Sequence, residues 1–319
     1  MASQTLRRTE IGPTSDAVGE RPAVADTVFT ERARYFDSSN AFALKHPPVP
    51  CHQFLAERDR ALDPATGTAI IPLDLSHRLE TEFPATTPPI LTSYLRIRAR
   101  DRLSTRFKAS GELYYVIAGS GESSKALDAI RWGPGDVFCL PGGGASTHRA
   151  GDEDCVLWVI TNEAQLAFEH LEPPAPGNAV TEAVHYPAAE IKSQLARVAG
   201  KLAGQKIAGL ALVFSSTAQA RRRNVLPSFT LAVNQLPPGE FQRPHRHNSV
   251  ALTLCIQGKR CYSMIGGQRV DWQEHAIMVT PPGDVHSHHN AGSEWMSCLI
   301  VQDGGLHYHC LTMEFAFAD

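Results

Sequence analysis

Cysteine pairs, long apolar runs and a leader-like start are all missing from this sequence. Its seven cysteines are an odd number with no CxxC spacing, so we expect reduced, mostly buried thiols. No apolar run approaches the roughly 18 residues that a membrane span needs. The first residues lack the apolar core of a secretory signal and carry acidic residues unlike a transit peptide. These absences predict a cytoplasmic protein.

A strong charge bias is also absent. The formal net charge of −3 over 319 residues gives no electrostatic reason to expect nucleic acid or an anionic membrane as a partner. Hydrophobic residues make up 43% and charged residues 20% of the chain, which is ordinary for a soluble globular enzyme. The length allows two domains, or one large domain, with an ample core.

Short β-rich runs separated by glycine and proline turns occupy two stretches of the chain. Runs such as "GELYYVIAGSG" and "DCVLWVITN" lie in the first, and "SVALTLCIQG" and "AIMVTPPGD" lie in the second. This spacing is typical of all-β sandwiches and barrels. Between them, "EPPAPGNA" indicates a linker and "PAAEIKSQLARVAGKLAG" has a helical period. We predict an N-terminal arm over 1–75, a β-rich unit over 76–171, a linker with a helix over 172–224, and a second β-rich unit over 225–319.

Histidine is concentrated at the end of the chain, where eight of the 14 histidines fall in the last 75 residues. His245 and His247 are two apart, a spacing that places side chains on one face of a strand. His286 follows a Pro-Pro-Gly turn further on. Three imidazoles on neighbouring strands are a candidate metal site, and the alternative is a set of hydrogen-bonded core histidines.

The spacing of these residues resembles the two signature motifs of the cupin superfamily. Gly239 is followed after five residues by the two histidines, and the Pro-Pro-Gly turn by His286 and, four positions later, Asn290. Two positions depart from the pattern: the acidic ligand is replaced by Ala251, and the leading glycine of the second motif by His275. The resemblance implies two cupin domains, each a double-stranded β-helix or jelly roll, joined by the helical linker.

The first β-rich unit fits the same template without its ligands. The turn frame and the acidic position are kept, whereas Arg106, Lys108 and Ser146 stand where the histidines would be. Two cationic side chains repel a divalent metal. We therefore expect a first cupin without metal, in which Arg106 and Lys108 face Glu112 inside a filled barrel. One metal ion per chain would then lie in the second cupin, bound by His245, His247 and His286.

The stretches "LPPGEFQRPHRHNSVAL" and "TPPGDVHSHHN" resemble the gentisate 1,2-dioxygenase group, which includes salicylate and 1-hydroxy-2-naphthoate dioxygenases. The resemblance implies one Fe(II) per chain and O2 as co-substrate. It further implies a small aromatic acid bound through its carboxylate and adjacent hydroxyl, ring cleavage between the carbons that carry them, and a homotetramer. His288 would be the catalytic histidine that touches substrate or oxygen.

The substrate-binding side departs from that group. The family's carboxylate-binding arginine follows "AL" directly, where this chain has Thr253, and a hydroxyl cannot replace a bidentate guanidinium. We expect Thr253 to face the barrel interior and Arg223, within "ARRRN", either to supply the missing carboxylate partner or to lie in a solvated turn. Asn234 is a further candidate for substrate contact. A 5-substituted salicylate such as 5-nitrosalicylate is therefore at least as good a candidate as gentisate or salicylate.

Two other readings stay open. The chain could catalyse a different metal-cupin reaction, such as decarboxylation or isomerisation, or it could be a non-catalytic bicupin that binds a small acid. The "HYH" stretch at 307–309 repeats the spacing of two histidines but lacks a third ligand and a turn frame. We expect it to be an edge strand or an interface feature.

Overall fold

The computed structural model describes residues 19–39, 41, 46–202 and 209–318. The chain divides into two compact units, residues 1–48 and 49–319. In the first unit, helix α1 (Val28–Glu31) begins after Thr27, whose side chain forms a capping box with Thr30. Glu20 and Tyr35 form an isolated β-bridge in the same unit.

The second unit contains the remaining helices and strands. The helices are α2 (Leu55–Leu62), α3 (Ser76–Leu79), α4 (Glu163–Phe168), α5 (Ala188–Leu202) and α6 (Gly304–His309). The strands are β1 (His52–Gln53), β2 (Ala69–Pro72), β3 (Leu91–Ile97), β4 (Arg102–Thr105), β5 (Gly111–Ala118), β6 (Gly121–Lys125), β7 (Asp128–Trp132), β8 (Val137–Pro141), β9 (Ser146–Ala150), β10 (Cys155–Thr161), β11 (Val184–Tyr186), β12 (Leu210–Val213), β13 (Thr230–Leu236), β14 (His245–His247), β15 (Ala251–Gln257), β16 (Cys261–Ile265), β17 (Gln268–Asp271), β18 (Ile277–Thr280), β19 (His286–Asn290), β20 (Met296–Gln302) and β21 (Phe315–Phe317).

These strands form two similar pairs of antiparallel sheets. The first pair consists of a six-stranded sheet, β11-β8-β5-β10-β3-β2, and a four-stranded sheet, β4-β9-β6-β7. The second pair consists of a six-stranded sheet, β1-β18-β15-β20-β13-β12, and a five-stranded sheet, β17-β16-β19-β14-β21. Each pair encloses a hydrophobic cluster of its own. The predicted all-β fold class, with two jelly-roll units, is confirmed, and we call the two units the first and second barrels.

The largest hydrophobic cluster lies between the two barrels. It combines side chains from both six-stranded sheets, among them Trp158 and Ile160 from β10 with Leu299 and Val301 from β20. The central strands are therefore buried on both faces, which is why "VLWVI" in β10 is continuously apolar instead of alternating. The hydroxyl of Tyr94 in the first barrel donates to the carbonyl of His275 in the second at 2.7 Å.

Segments outside the two predicted β-rich units also add strands to the sheets. β1 pairs with β18 of the second barrel and β2 with β3 of the first. Within the predicted linker, β11 joins the first barrel, α5 supplies the expected helix, and β12 joins the second barrel. The domain boundaries drawn from the sequence stay a prediction.

The expected partners of Glu112 are wrong. Arg106 and Lys108 are both exposed, and Lys108 pairs instead with Glu172 at the surface. The cation that meets Glu112 inside the first barrel is Lys125, whose Nζ lies 2.6 Å from Oε1. The stretch 106–110 lies outside the strands, and burial alternates along it with the opposite parity to the one expected: Phe107 and Ala109 are buried, whereas Arg106 and Lys108 are not.

The "HYH" stretch lies at the end of helix α6, so the expected edge strand is wrong, whereas the alternative of an interface feature stays a prediction. Among the helices of the described residues, none has both the length and the apolar composition needed to cross a membrane.

Candidate metal centre and substrate cavity

Three histidines meet inside the second barrel. His245 and His247 lie on β14, with the intervening Arg246 exposed, and His245 pairs across the sheet with His286 on β19. Their ligand atoms lie within 4.8 Å of one another, and all three side chains are buried. Across residues 19–39, 41, 46–202 and 209–318, this is the group of histidine, cysteine or acidic side chains placed to share a metal ion.

Backbone carbonyls fix the orientation of all three rings. Nδ1 of His245 lies 2.9 Å from the carbonyl oxygen of Arg243, and Nδ1 of His286 lies 2.9 Å from that of Asp284. Nδ1 of His247 lies 2.8 Å from the carbonyl oxygen of Ser249. A carbonyl can only accept, so each Nδ1 carries the proton and each Nε2 presents a lone pair. This is the arrangement that metal-binding histidines need.

The electrostatics of the site also suit a metal. Burial lowers the pKa of His286 to about 2, and it lowers the pKa values of His245 and His247 below the ordinary value. All three rings are therefore neutral at pH 7, which is the form that coordinates metals. The donor set fits a divalent first-row metal ion, with open positions left beside the three nitrogens.

A cavity of about 560 Å³ opens onto the three histidines. Four of its lining residues carry a buried side-chain oxygen with no hydrogen-bond partner among the described residues: Asn234, Gln242, Thr253 and Thr280. An unpaired buried polar atom is costly, and such atoms in a native structure indicate a place where a ligand or water binds. Two of the residues predicted to contact substrate, Asn234 and Thr253, are in this group.

Two arginines lie at the cavity wall, in the turn that precedes β13. Arg223, a predicted substrate residue, lines the cavity, and so does its neighbour Arg222, whereas Arg221 does not. Arg223 adopts a left-handed backbone conformation, φ 57°, that turns the chain at this point. The structure therefore brings the third substrate candidate to the same cavity as the histidines.

The C-terminal segment forms an apolar wall that the sequence analysis missed. Tyr308, Met313 and Phe315 line the cavity, and the Phe315 ring stacks on that of His245 with centroids 5.1 Å apart. The side chain of Asn248 holds this segment in place: its Nδ2 donates to the carbonyl of Thr312 at 2.6 Å, and its Oδ1 accepts from the backbone of Glu314. No local pattern marks these residues, because only the pairing of β21 with β14 brings them to the site.

Gln302 was also missed. It lies directly across from Ala251 in the sheet, on the side where other cupins carry the acidic ligand, and its amide nitrogen is 3.0 Å from Nε2 of His247. Its position at the end of the apolar run "MSCLIVQ" is the signal that could have identified it.

His288 lies on β19 two residues beyond His286, and it lines the same cavity. Its Nδ1 is 2.8 Å from Oγ of Ser263. Burial lowers the pKa of His288 to about 3, so its ring is neutral. The predicted catalytic histidine is thus buried beside the three candidate ligands, with one nitrogen engaged by the protein.

Comparison with known proteins identifies a cupin domain at the candidate metal site. A cupin domain model matches residues 232–302, which contain all three histidines of the candidate metal site. A 5-aminosalicylate 1,2-dioxygenase from a Comamonas species is 30% identical over 99 residues, 31% of this chain and 26% of that protein. A gentisate 1,2-dioxygenase from a Ralstonia species is 30% identical over 79 residues, 25% of this chain and 22% of that protein. The matched segment spans about a quarter of the length of these curated relatives.

Solved structures extend the likeness to the whole fold. Salicylate 1,2-dioxygenase from Pseudaminobacter salicylatoxidans superposes with a TM-score of 0.71 and 13% identity, covering 89% of this chain and 92% of that chain. A variant of the same enzyme in complex with gentisate gives a TM-score of 0.69 and 12% identity, covering 86% of this chain and 87% of that chain. At this identity the likeness is one of fold.

Proposed function

We propose that this chain, a two-cupin protein with the fold of the salicylate 1,2-dioxygenases, is an Fe(II)-dependent dioxygenase that opens the ring of a small aromatic acid. The bond that breaks joins the carboxyl-bearing and hydroxyl-bearing carbons, and both atoms of O2 enter the product. Gentisate, salicylate and 5-substituted salicylates, such as 5-nitrosalicylate or 5-aminosalicylate, are the candidate substrates. The observation that carries the proposal is a trio of neutral imidazoles, without an acidic partner, at a cavity lined by arginine.

Charge balance favours an anionic chelating substrate. Three neutral imidazoles leave the full charge of a divalent ion uncompensated, and Ala251 stands where other cupins supply a carboxylate. A carboxylate and an ortho phenolate carry two negative charges between them. When bound, Fe(II) would offer open positions to these two oxygens and to O2, which brings both reactants together.

Different residues around the cavity are suited to different parts of such an acid. The guanidinium groups of Arg222 and Arg223 are suited to the carboxylate. The apolar wall of Met313 and Phe315 is suited to the face of the ring. The unpaired oxygens of Asn234 and Thr253 are available to polar groups on the ring, and we assign both to substrate binding.

Thr253 bears on the choice among these acids. Its buried hydroxyl has no partner among the described residues, whereas the family's arginine at that place would contact the carboxylate. A threonine there leaves room beside the ring, and Arg222 or Arg223, in the turn before β13, then binds the carboxylate in place of that arginine. This arrangement favours a ring with a substituent over unsubstituted salicylate.

The test is oxygen uptake by the Fe(II)-loaded full chain with gentisate, salicylate, 5-nitrosalicylate, 5-aminosalicylate and 1-hydroxy-2-naphthoate. We expect at least one of these acids to consume one O2 per ring-fission product, followed by absorbance. Oxygen uptake with none of them would overturn the proposal in favour of a non-oxidative cupin reaction or an acid-binding protein.

Arginine variants test the binding mode with a matched control. We expect Arg222→Gln or Arg223→Gln to raise KM by roughly tenfold with little change in kcat, because a charge-assisted hydrogen bond to the carboxylate is lost. Arg221→Gln removes the same charge from the same turn, outside the cavity lining, and should leave KM unchanged. An equal rise in all three variants would mean that the turn acts only through its net charge.

We further propose a homotetrameric, cytoplasmic enzyme, as the resemblance to the dioxygenase group implies. The oligomer is measured directly by light scattering of the purified full chain.

A further inference from the structure

A network of buried hydrogen bonds reaches Nδ1 of His288. The indole nitrogen of Trp272 donates to Oγ of Ser263 at 2.8 Å, and this oxygen lies 2.8 Å from Nδ1 of His288. Ser263 is fully buried, and Trp272 and His288 are nearly so. Within the described part of the chain, the hydroxyl of Ser263 has these two hydrogen-bond partners.

The donors and acceptors of this network determine the tautomer of His288. The indole N–H of Trp272 can only donate, so it occupies a lone pair of Ser263 Oγ. The hydroxyl hydrogen of Ser263 then has Nδ1 of His288 as its acceptor. The opposite tautomer, with hydrogen on Nδ1, would leave that buried hydroxyl hydrogen without a partner, which is unfavourable. His288 therefore accepts at Nδ1 and carries its hydrogen on Nε2.

The first barrel contains an equivalent hydrogen-bond network, in which both nitrogens of the histidine have protein partners. The indole of Trp132 donates to Ser123 Oγ at 2.8 Å, and Ser123 Oγ lies 2.7 Å from Nδ1 of His148. Here Nε2 of His148 has protein partners, the hydroxyls of Thr105 at 3.1 Å and Tyr114 at 3.4 Å.

These partners indicate what Nε2 does in each barrel. The hydroxyl hydrogen of Tyr114 is given to the carboxylate of Glu112 at 2.6 Å, so its oxygen can only accept from His148. Nε2–H of His148 is thus a donor to oxygen atoms of the protein. In the second barrel, Nε2 of His288 has no hydrogen-bond partner among the described residues, and His288 lines the cavity.

We propose that Ser263 and Trp272 are positioning residues that hold His288 as an Nε2–H donor towards an oxygen of the bound acid. His288 then acts as a hydrogen-bond donor that stabilises negative charge on that oxygen, and not as a base that removes a proton. The part of this inference that concerns turnover rests on the proposed function, whereas the tautomer of His288 does not.

Nuclear magnetic resonance tests the tautomer without any assay of activity. In the metal-free full chain labelled with ¹⁵N-histidine, two-bond ¹H–¹⁵N correlations distinguish Nε2–H from Nδ1–H rings at pH 7. We expect His288 and His148, each assigned by its disappearance in an asparagine variant, to be Nε2–H. In Ser263→Ala we expect the pattern of His288 to change while that of His148 is kept. An Nδ1–H or doubly protonated His288 in the unsubstituted protein would overturn the inference.

Turnover tests the consequence, with the first barrel as a matched control. We expect Ser263→Ala to lower kcat by about tenfold, typical for removal of a group that orients a catalytic histidine, with metal content and KM unchanged. Trp272→Phe should act in the same direction with a smaller loss, and it provides a second variant if Ser263→Ala folds poorly. Ser123→Ala and Trp132→Phe remove the same bonds from the first barrel and should leave kcat unchanged.

A double variant separates positioning from a general loss of stability. If Ser263 acts through His288, then Ser263→Ala should cause no further loss of kcat in a His288→Ala background. An additive loss, or an equal loss in Ser123→Ala, would overturn the positioning role. If no acid in the panel consumes O2, the proposed function fails, and the resonance of His288 still decides the tautomer.

Discussion

The two barrels have the same strand plan and opposite interiors. In the first, Glu112 is fully buried and meets the ammonium of Lys125, the hydroxyl of Tyr114 and the hydroxyl of Ser146. In the second, Ala251 at the start of β15 takes the place of Glu112, and His286 at the start of β19 takes the place of Ser146. The first barrel therefore contains both a carboxylate and the cation that neutralises it, so this carboxylate does not require a bound metal ion to balance its charge.

The comparison extends to the space inside each barrel. Tyr114 fills the interior of the first and stacks on Phe138 with ring centroids 4.5 Å apart. Thr253, two residues beyond Ala251 as Tyr114 is two beyond Glu112, leaves the second barrel open to its cavity. The candidate substrate cavity lies where the acid, its cation and the filling aromatic ring are all absent. On one shared scaffold, a few side chains therefore decide between a packed core and an open cavity beside a candidate metal site.

The largest effect is expected when one of the three histidines of the candidate metal centre is removed from the second barrel. We expect His286→Ala to abolish both metal binding and ring cleavage, because two imidazoles and no acidic partner hold a divalent ion poorly. Metal analysis and oxygen uptake of the purified variant measure this. Ser146→Ala, the matched change at the start of β9, should leave both unchanged, and retention of full metal in His286→Ala would contradict the assignment.

The second prediction concerns the buried ion pair of the first barrel. Lys125→Met leaves Glu112 as an uncompensated buried charge, and we expect the free energy of unfolding to fall by about 3–5 kcal/mol. Adding Glu112→Leu should recover much of that loss, since both charges are then gone. Chemical denaturation measures both variants.

The control for that prediction is an exposed pair on the same edge of the sheet. Arg131 and Glu122 lie 3.1 Å apart at the surface, and Arg131→Ala should cost less than about 1 kcal/mol. A loss as large as that of Lys125→Met would mean that burial is not the source of the effect.

Local sequence patterns sufficed for the candidate metal centre. His245 and His247 are placed by strand alternation, and His286 by the turn immediately before it, so each position depends on a few neighbouring residues. The all-β class followed from the same short-range signals. Such features could be predicted because no distant part of the chain is needed to orient them.

The features that were missed or wrong depend on distant pairing. Lys125 reaches Glu112 because β6 pairs with β9, and Phe315 reaches His245 because β21 pairs with β14. Arg106 was placed inside the barrel by assigning the wrong parity to this stretch, in which Phe107 and Ala109 are the buried residues. Spacing in the sequence carries no information about which strands become neighbours across two sheets.

The third prediction restores the acid of the first barrel in the second. In Ala251→Glu, a carboxylate would lie beside the three imidazoles and across from Gln302. We expect metal to be retained and ring cleavage to fall by about tenfold or more, because the added charge opposes an anionic substrate. Ala251→Gln has the same size without the charge and should lose less activity, so an equal loss in both variants would point to crowding alone.

The last prediction uses a difference between the residues that follow the two central strands. Asp303 comes directly after β20 and accepts from the backbone N–H of Val250 at 2.9 Å, whereas Asn162, directly after β10, accepts from Ser110 at the same distance. Burial raises the pKa of Asp303 to about 7. A raised pKa means that the folded protein holds a proton that the unfolded chain has lost, so the stability contributed by this group declines as pH rises through about 7. Between pH 6 and pH 8 we expect the free energy of unfolding to fall by about 1 kcal/mol on this account.

Asp303→Asn should remove this decline, since Asn keeps the acceptor oxygen and does not ionise, as Asn162 already shows in the first barrel. Denaturation of both proteins at the two pH values measures the difference, and an unchanged pH dependence in Asp303→Asn would show that another group is responsible.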